Sequence, residues 1–415
     1  MEHAPAASRL ASDFILAAVI AFLAAGCGAD QEPYGVTVVE ELRGDTVVMV
    51  SSGEPERVRI EAVEVLWQSD EFEGGRGMPR MAQLGDHLVI GDLWRVHVVS
   101  IQDGGAHTFS RRGQGPGEIR TAIRSVGGFG PDTILVLDDS QVLLFSLDGE
   151  FLASYRTTAE LPFIEDVMGG SARDRVVYPL VKSGSGMLWA RMTYESPERK
   201  GLIWHDLEAD TVAVLESWDY RGATPVFFEL VKHTISSDGR VATGDPAVYC
   251  IRLFHAFDEG DHAGCRERSR VPVEDGFKIL SGPNAPWDPQ GVGGVQRLEE
   301  NPPDLLPHFD RLLFSASGDL WVNLYHGEFA HVHRRAYSFF DWQPTVREWE
   351  VFDREAVLVR HVTLPGAFDL RVIGDGEAFG FLTLETGEIV VGRVNLTGSA
   401  EPTLDQAGYP VNTRG

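Results

Sequence analysis

Three cysteines in 415 residues are too few for a scaffold held together by disulfides. The chain has no Cys-x-x-Cys pair, no His-Glu-x-x-His and no Gly-x-Ser-x-Gly elbow, so the strong signatures of redox, zinc-hydrolase and serine-hydrolase chemistry are missing. Basic residues are scarce: 36 Lys and Arg stand against 62 Asp and Glu, a formal net charge of −26. No run of five Lys or Arg occurs, and a chain this acidic is repelled by phosphate backbones, which argues against a nucleic-acid partner. No apolar run reaches the roughly 20 residues that span a bilayer core. Beyond the N-terminus no 3.6-residue apolar period lasts three turns, which leaves no long helix. A hydrophobic fraction of 43% nevertheless fits a folded chain and not a disordered one.

What the chain does contain is a recurring unit. Asp86-His-Leu-Val-Ile-Gly-Asp92, Asp132-Thr-Ile-Leu-Val-Leu-Asp138, Asp238-Gly-Arg-Val-Ala-Thr-Gly-Asp245, Ser317-Gly-Asp-Leu-Trp-Val-Asn323 and Asp375-Gly-Glu-Ala-Phe-Gly-Phe381 each run from a polar turn into a short apolar strand. Most lead to a second apolar strand closed by an Asp-Gly-type turn, as in Leu143-Leu-Phe-Ser-Leu-Asp-Gly149. With Leu88, Ile134, Leu188, Val241, Leu320 and Ala378 taken as equivalent first-strand positions, the gaps are 46, 54, 53, 79 and 58 residues. A blade of four short strands needs about 40 to 45 residues, so the spacing predicts an all-β, six-bladed β-propeller over residues 34–398. The gap of 79 holds a blade plus a Pro-rich insertion at about 273–307, where Pro bars sheet and long helix alike. The unit around Met187-Leu-Trp-Ala-Arg191 is among the most diverged. Either Tyr34-Gly-Val-Thr-Val-Val-Glu40 or Thr46-Val-Val-Met-Val-Ser51 is expected to close the ring beside Ile389-Val-Val-Gly-Arg-Val-Asn-Leu396.

The N-terminus carries a run of 12 apolar residues, Phe14 to Ala25, which suits the core of a secretory signal. Leu23-Ala-Ala-Gly-Cys27, followed by a polar stretch, resembles a bacterial lipobox. That resemblance implies a signal peptide over 1–26, acylation of Cys27, a tether over 27–33 and a place in the periplasm or on the cell surface. Acyl chains at ~0.8 kcal/mol per buried CH₂ make such an anchor effectively permanent. Residues 399–415 read as a tail.

Cys250 and Cys265 lie on the two arms of a predicted hairpin. A turn centred near residue 259 sets Cys250 opposite residue 268, so the spacing leaves a disulfide and two separate thiols both open. Between the first two units stands Ser110-Arg-Arg-Gly-Gln-Gly-Pro-Gly-Glu-Ile119. Gly113, Gly115, Pro116 and Gly117 demand a compact backbone. The segment reads either as an anion-binding nest beside Arg111 and Arg112 or, more plainly, as an inter-blade crossover in which Glu118 pairs an Arg or caps backbone N–H groups. Together with Phe145-Ser-Leu-Asp-Gly-Glu-Phe-Leu152, Leu320-Trp-Val322 and Val362-Thr-Leu-Pro365, the crossover resembles the six-bladed β-propeller lipoproteins related to NHL-repeat proteins. The resemblance covers about residues 60–398. It implies a fold and an extracytoplasmic, lipid-anchored setting, and it supplies no catalytic residues.

The expected role is therefore a binding module for protein, peptide or carbohydrate, attached to the membrane through its anchor, with no cofactor. The alternative is a calcium-dependent, lactonase-like hydrolase or lyase, in which Asp92, Asp138, Asp245 and Asn323 at strand ends ring an axial metal. Against it stands the ordinary use of Asp and Asn as strand-end and turn caps. His326-Gly-Glu-Phe-Ala-His-Val-His333 matches no strong zinc spacing and reads as loop or strand-face histidine. Trp287, between prolines of the insertion, is read as packing over one end of the propeller or as part of a recognition surface.

Overall fold

The computed structural model describes residues 36–43, 46–69, 72, 79–138, 141–156, 175–183, 186–192, 199–206, 211–219, 232–236, 239–255, 261–269, 305, 308–325 and 346–396. Within 42–46, 156, 175–219 and 261 it describes the backbone alone. The expectations placed on the signal segment, Cys27, the tether, most of the Pro-rich insertion, the His326–333 stretch and the tail lie outside the described residues.

Four strands come first: β1 (Val36–Arg43), β2 (Thr46–Gly53), β3 (Glu56–Arg59) and β4 (Glu64–Trp67). Successive antiparallel meanders follow. The first is β5 (Arg80–Leu84), β6 (His87–Asp92), β7 (Arg95–Ser100) and β8 (Ala106–Phe109). The second is β9 (Ser125–Gly128), β10 (Thr133–Leu137), β11 (Gln141–Ser146) and β12 (Phe151–Arg156). The third is β13 (Arg175–Ser183), β14 (Gly186–Met192), β15 (Arg199–Asp206) and β16 (Thr211–Asp219). The fourth is β17 (Lys232–Ile235), β18 (Arg240–Asp245), β19 (Cys250–His255) and β20 (Asp261–Arg266). The fifth is β21 (Phe309–Phe314), β22 (Leu320–Leu324), β23 (Val346–Phe352) and β24 (Leu358–Pro365). The sixth is β25 (Phe368–Ile373), β26 (Glu377–Thr383) and β27 (Ile389–Asn395), completed by β4. No helix occurs among the described residues.

Where side chains are described, the second strands of these sheets are largely buried on both faces, which is why they read as apolar runs and not as alternating ones. Leu88, Val89 and Ile90 of β6 and Ile134, Leu135 and Val136 of β10 are all buried. The core is correspondingly divided into clusters that lie between neighbouring sheets. Val89, Val98, Ile134 and Phe145 fill the space between the first and second. Tyr249, Phe309, Leu320 and Phe352 do so between the fourth and fifth. Trp321, Trp349, Phe368 and Leu370 join the fifth to the sixth, and Leu88, Ile90, Phe379 and Val391 return from the sixth to the first. At about 1.5–3 kcal/mol for each fully buried large apolar side chain, no sheet is stable without its neighbours. The first strands also touch in succession: β5 with β9, β9 with β13, β13 with β17, β17 with β21, β21 with β25, and β25 with β5 again. The arrangement is all-β and propeller-like.

Two details differ from the sequence reading. The apolar runs taken as first strands are the second strands of their sheets; the true first strands precede them and include charged residues such as Arg80, Lys232, Arg311 and Arg371. The strand beside β27 is β4, not either of the segments around residues 34–40 and 46–51. Those two form the β1–β2 hairpin, which extends the fourth sheet through parallel pairing of β2 with β20. β3 pairs in parallel with β24, so the N-terminal strands cover the outer edges of three sheets.

Candidate functional site

Because each first strand lies at the end of its sheet, one edge of its backbone faces the axis and stays outside the ladder. Five of these strands or the residues just after them wall an axial cavity of about 570 Å³. β5 contributes Ala82, Gln83 and Leu84; β9 contributes Gly128; β17 contributes Thr234 and Ile235, with Ser236 following; β21 contributes Leu313 and Phe314, with Ser315 and Ala316; and β25 contributes Arg371, Val372 and Ile373. At this end β21 and β25 come close enough for a parallel bridge between Ser315 and Ile373, and the Ala316 N–H donates to the Ile373 carbonyl at 2.8 Å.

Charged side chains also stand along these strands, and of them Arg371 lines the cavity. Arg371 donates to Asp369, and Arg311 from β21 donates to Asp369 at 2.9 Å and to the Leu370 carbonyl at 2.9 Å. Lys232 of β17 pairs with Asp310 of β21 at 3.3 Å, and the Tyr325 hydroxyl donates to the same carboxylate at 3.4 Å. Burial by itself raises the Asp369 carboxyl, but Arg371, Arg311 and Arg347 outweigh it and hold the group well below the usual carboxylate range. Burial lowers Arg371 to about 10 against the pull of Asp369, with Arg311 and Arg80 adding repulsion. Burial likewise lowers Arg347 and raises the Tyr325 hydroxyl. In a chain of net charge −26, the ends and edges of these strands gather Arg80, Lys232, Arg311 and Arg371. Sequence reading missed this cluster. The available signal was charge inside strand-length segments, as in Asp310-Arg-Leu-Leu313 and Asp369-Leu-Arg371.

The four proposed axial ligands are placed otherwise. Asp92, Asp138, Asp245 and Asn323 stand at the ends of the second strands, and the antiparallel pairing puts those ends opposite the cavity. Asp138 is 1% exposed and accepts the Arg120 and Gln141 N–H groups, each at 2.9 Å, and the Gln141 side-chain amide at 3.3 Å. It thereby ties the start of β11 to Arg120, just past the crossover. Asp245 accepts the Ala247 N–H at 2.8 Å, and the Asn323 amide donates to the Glu348 carbonyl at 3.3 Å. Among the described residues no three His, Cys, Asp or Glu side chains group closely enough to hold a metal ion.

The crossover occupies itself. Glu118 accepts the Gly115 N–H at 2.8 Å and Arg111 Nε at 2.7 Å, so the loop's own carboxylate fills the nest. The Gly115 N–H, then Arg111, lower the Glu118 carboxyl. A Cβ on Gly113 meets a Glu118 oxygen at 1.9 Å, so that glycine makes room for the carboxylate, whereas Gly117, with φ of 73°, answers a backbone requirement. Arg112 instead covers the Trp94 ring at 5.2 Å.

Register sets Cys250 directly opposite Cys265, their Cα atoms 4.2 Å apart, and the structure joins the sulfurs in a disulfide. The ladder pairs Cys250 with Cys265 and Phe254 with Asp261, so the partner of Cys250 lies three positions before the expected residue 268. A second buried polar group lies between the fourth and fifth sheets, where the Tyr249 hydroxyl donates to Glu350 and Arg266 meets the same carboxylate at 3.3 Å. It is internally paired and links sheets.

No family model and no curated protein sequence matches the chain. Solved structures do. A member of the DUF4221 family from Bacteroides vulgatus has a TM-score of 0.53 at 10% identity, covering 88% of this chain and 98% of that one. Regucalcin from Agrobacterium tumefaciens, a calcium-binding protein, has a TM-score of 0.41 at 10% identity, covering 82% and 95%. At such identity the first likeness bears on fold alone, and the second carries no argument.

Proposed function

We propose that the chain is a lipid-anchored, extracytoplasmic six-bladed β-propeller, related to the NHL-repeat lipoproteins, that binds a protein, peptide or carbohydrate ligand. The observation that carries the binding reading is the axial cavity of about 570 Å³, within the usual range of roughly 300–1,000 Å³ for small-ligand sites. The ring of first-strand contacts supports six blades. The run ending in Leu23-Ala-Ala-Gly-Cys27 supports acylation at Cys27. Cationic side chains on the first strands weigh against the calcium-dependent alternative, because a divalent cation needs oxygen ligands and is repelled by guanidinium groups.

Two experiments test this. Metabolic labelling with an alkyne fatty acid should tag the wild type and not Cys27→Ser, and labelling of neither sinks the anchor. A pull-down from crosslinked membranes should retain a partner or glycan. An empty pull-down, coupled with a calcium-dependent rise in melting temperature, sinks the binding reading and restores the enzyme.

A further inference from the structure

We infer that the axial cavity holds a small carboxylate on an apolar body, with Arg371 meeting the carboxylate. This rests on the binding reading above and names the class of ligand. Among the described lining residues Arg371 is the single charged one. Leu84, Leu313, Phe314 and Ile373 supply apolar wall, and Thr234 and Ser236 supply hydroxyls. A wall of this kind favours a ligand with one anionic end and a larger apolar part.

Charge points the same way. Arg371 meets Asp369, a carboxylate that Arg311 shares, and Arg347 adds to the positive charge around it. The contact with Asp369 runs through one terminal nitrogen of Arg371, Nη2. A guanidinium has five N–H donors in a plane and matches a carboxylate edge to edge, so a second carboxylate fits the group chemically. Arg371 also lies over the Phe381 ring, 5.7 Å from its centre. Bare phosphate lacks the apolar part, and a cation meets like charge.

The test uses the full chain and isothermal titration with four probes: N-acetyl-leucine, N-acetyl-leucinamide, octanoate and inorganic phosphate. The inference expects N-acetyl-leucine or octanoate to bind at least about tenfold more tightly than the neutral amide and than phosphate. Preference between the two binders assigns the source as a peptide terminus or a fatty acid. Arg371→Met should weaken the preferred acid at least about tenfold and leave the amide unchanged. Ala316→Trp, at an exposed position on the cavity wall, should block both acids with the melting temperature retained; it keeps the test open if Arg371→Met does not fold. Equal affinity for acid and amide, tightest binding by phosphate, or heat with no dependence on either variant overturns the inference. So does no binding of any probe, yet a membrane pull-down that still retains a partner then leaves the broader binding reading standing.

Discussion

Asp138 separates a structural cap from a metal ligand, and the structure allows the size of the effect to be worked out. Asp138→Ala removes the acceptor of two backbone N–H groups and of the Gln141 side-chain amide. The Gln141 N–H is buried, so leaving it without an acceptor costs about 1–3 kcal/mol. The Arg120 N–H is only partly buried and regains some bonding to water, so about 1 kcal/mol is assigned to it. The expected loss is about 2–4 kcal/mol, read from urea unfolding by linear extrapolation. Asp138→Asn keeps one oxygen acceptor and should lose about half as much. Because the carboxylate is spent on N–H donors, added calcium should change neither protein. A loss under about 1 kcal/mol for the alanine variant, or a calcium-dependent gain seen in the wild type and absent from Asp138→Ala, refutes the reasoning.

Gly113→Ala should drive Glu118 from its loop, because the new Cβ occupies the carboxylate's position. Hydrogen exchange at the Gly115 amide should quicken equally in Gly113→Ala and Glu118→Ala, and the double variant should be no faster than either; additive effects count against one shared lock. Replacing Cys250 and Cys265 together with Ser should lower stability by about 3 kcal/mol, the value for a loop of this size, and a reductant should bring the wild type to the same level without affecting the variant. An unchanged wild type under reductant removes the bridge from the account. His97 is buried against Trp67 and Phe72 and bonds Thr108 at 2.8 Å; burial, then Arg95, lowers it to about 4. Its folded value lies below the unfolded one, so its contribution is intact above about pH 6.5 and is lost as pH falls towards 4, in all about 3 kcal/mol. Unfolding midpoints at pH 7 and 4.5 should converge in His97→Phe, and an unchanged pH slope in that variant assigns the dependence elsewhere.

How much of this was legible in the sequence follows from where each strand lies. β6, β10 and β22 are buried on both faces, so each is an apolar run that repeats along the chain and reveals the unit. β5 and β17 have one edge towards the axis and admit Arg80, Gln83 and Lys232, which breaks the apolar pattern by which strands are found. β4 is four residues long and partly exposed, so nothing local marks it as the partner of β27, more than 300 residues away. The Cys250–Cys265 register hung on the turn centre, which sequence places only to within a residue or two, and each residue of turn shift moves the opposite partner by two.

The cationic cluster was hidden for a different reason. Arg80, Lys232, Arg311 and Arg371 are each unremarkable in their own segment, and only the ring of first strands brings them to one axis. The strand-end Asp138 and Asp245, by contrast, recur at matching positions of the repeat because each caps backbone N–H groups just after its strand. Repetition in a propeller therefore reports what every blade needs for its own fold. A ligand on the axis meets each blade once and from a different angle, so the residues that contact it have no reason to repeat. In this chain two of the repeated carboxylates, Asp138 and Asp245, accept backbone N–H groups, whereas the unrepeated Arg371 lines the cavity.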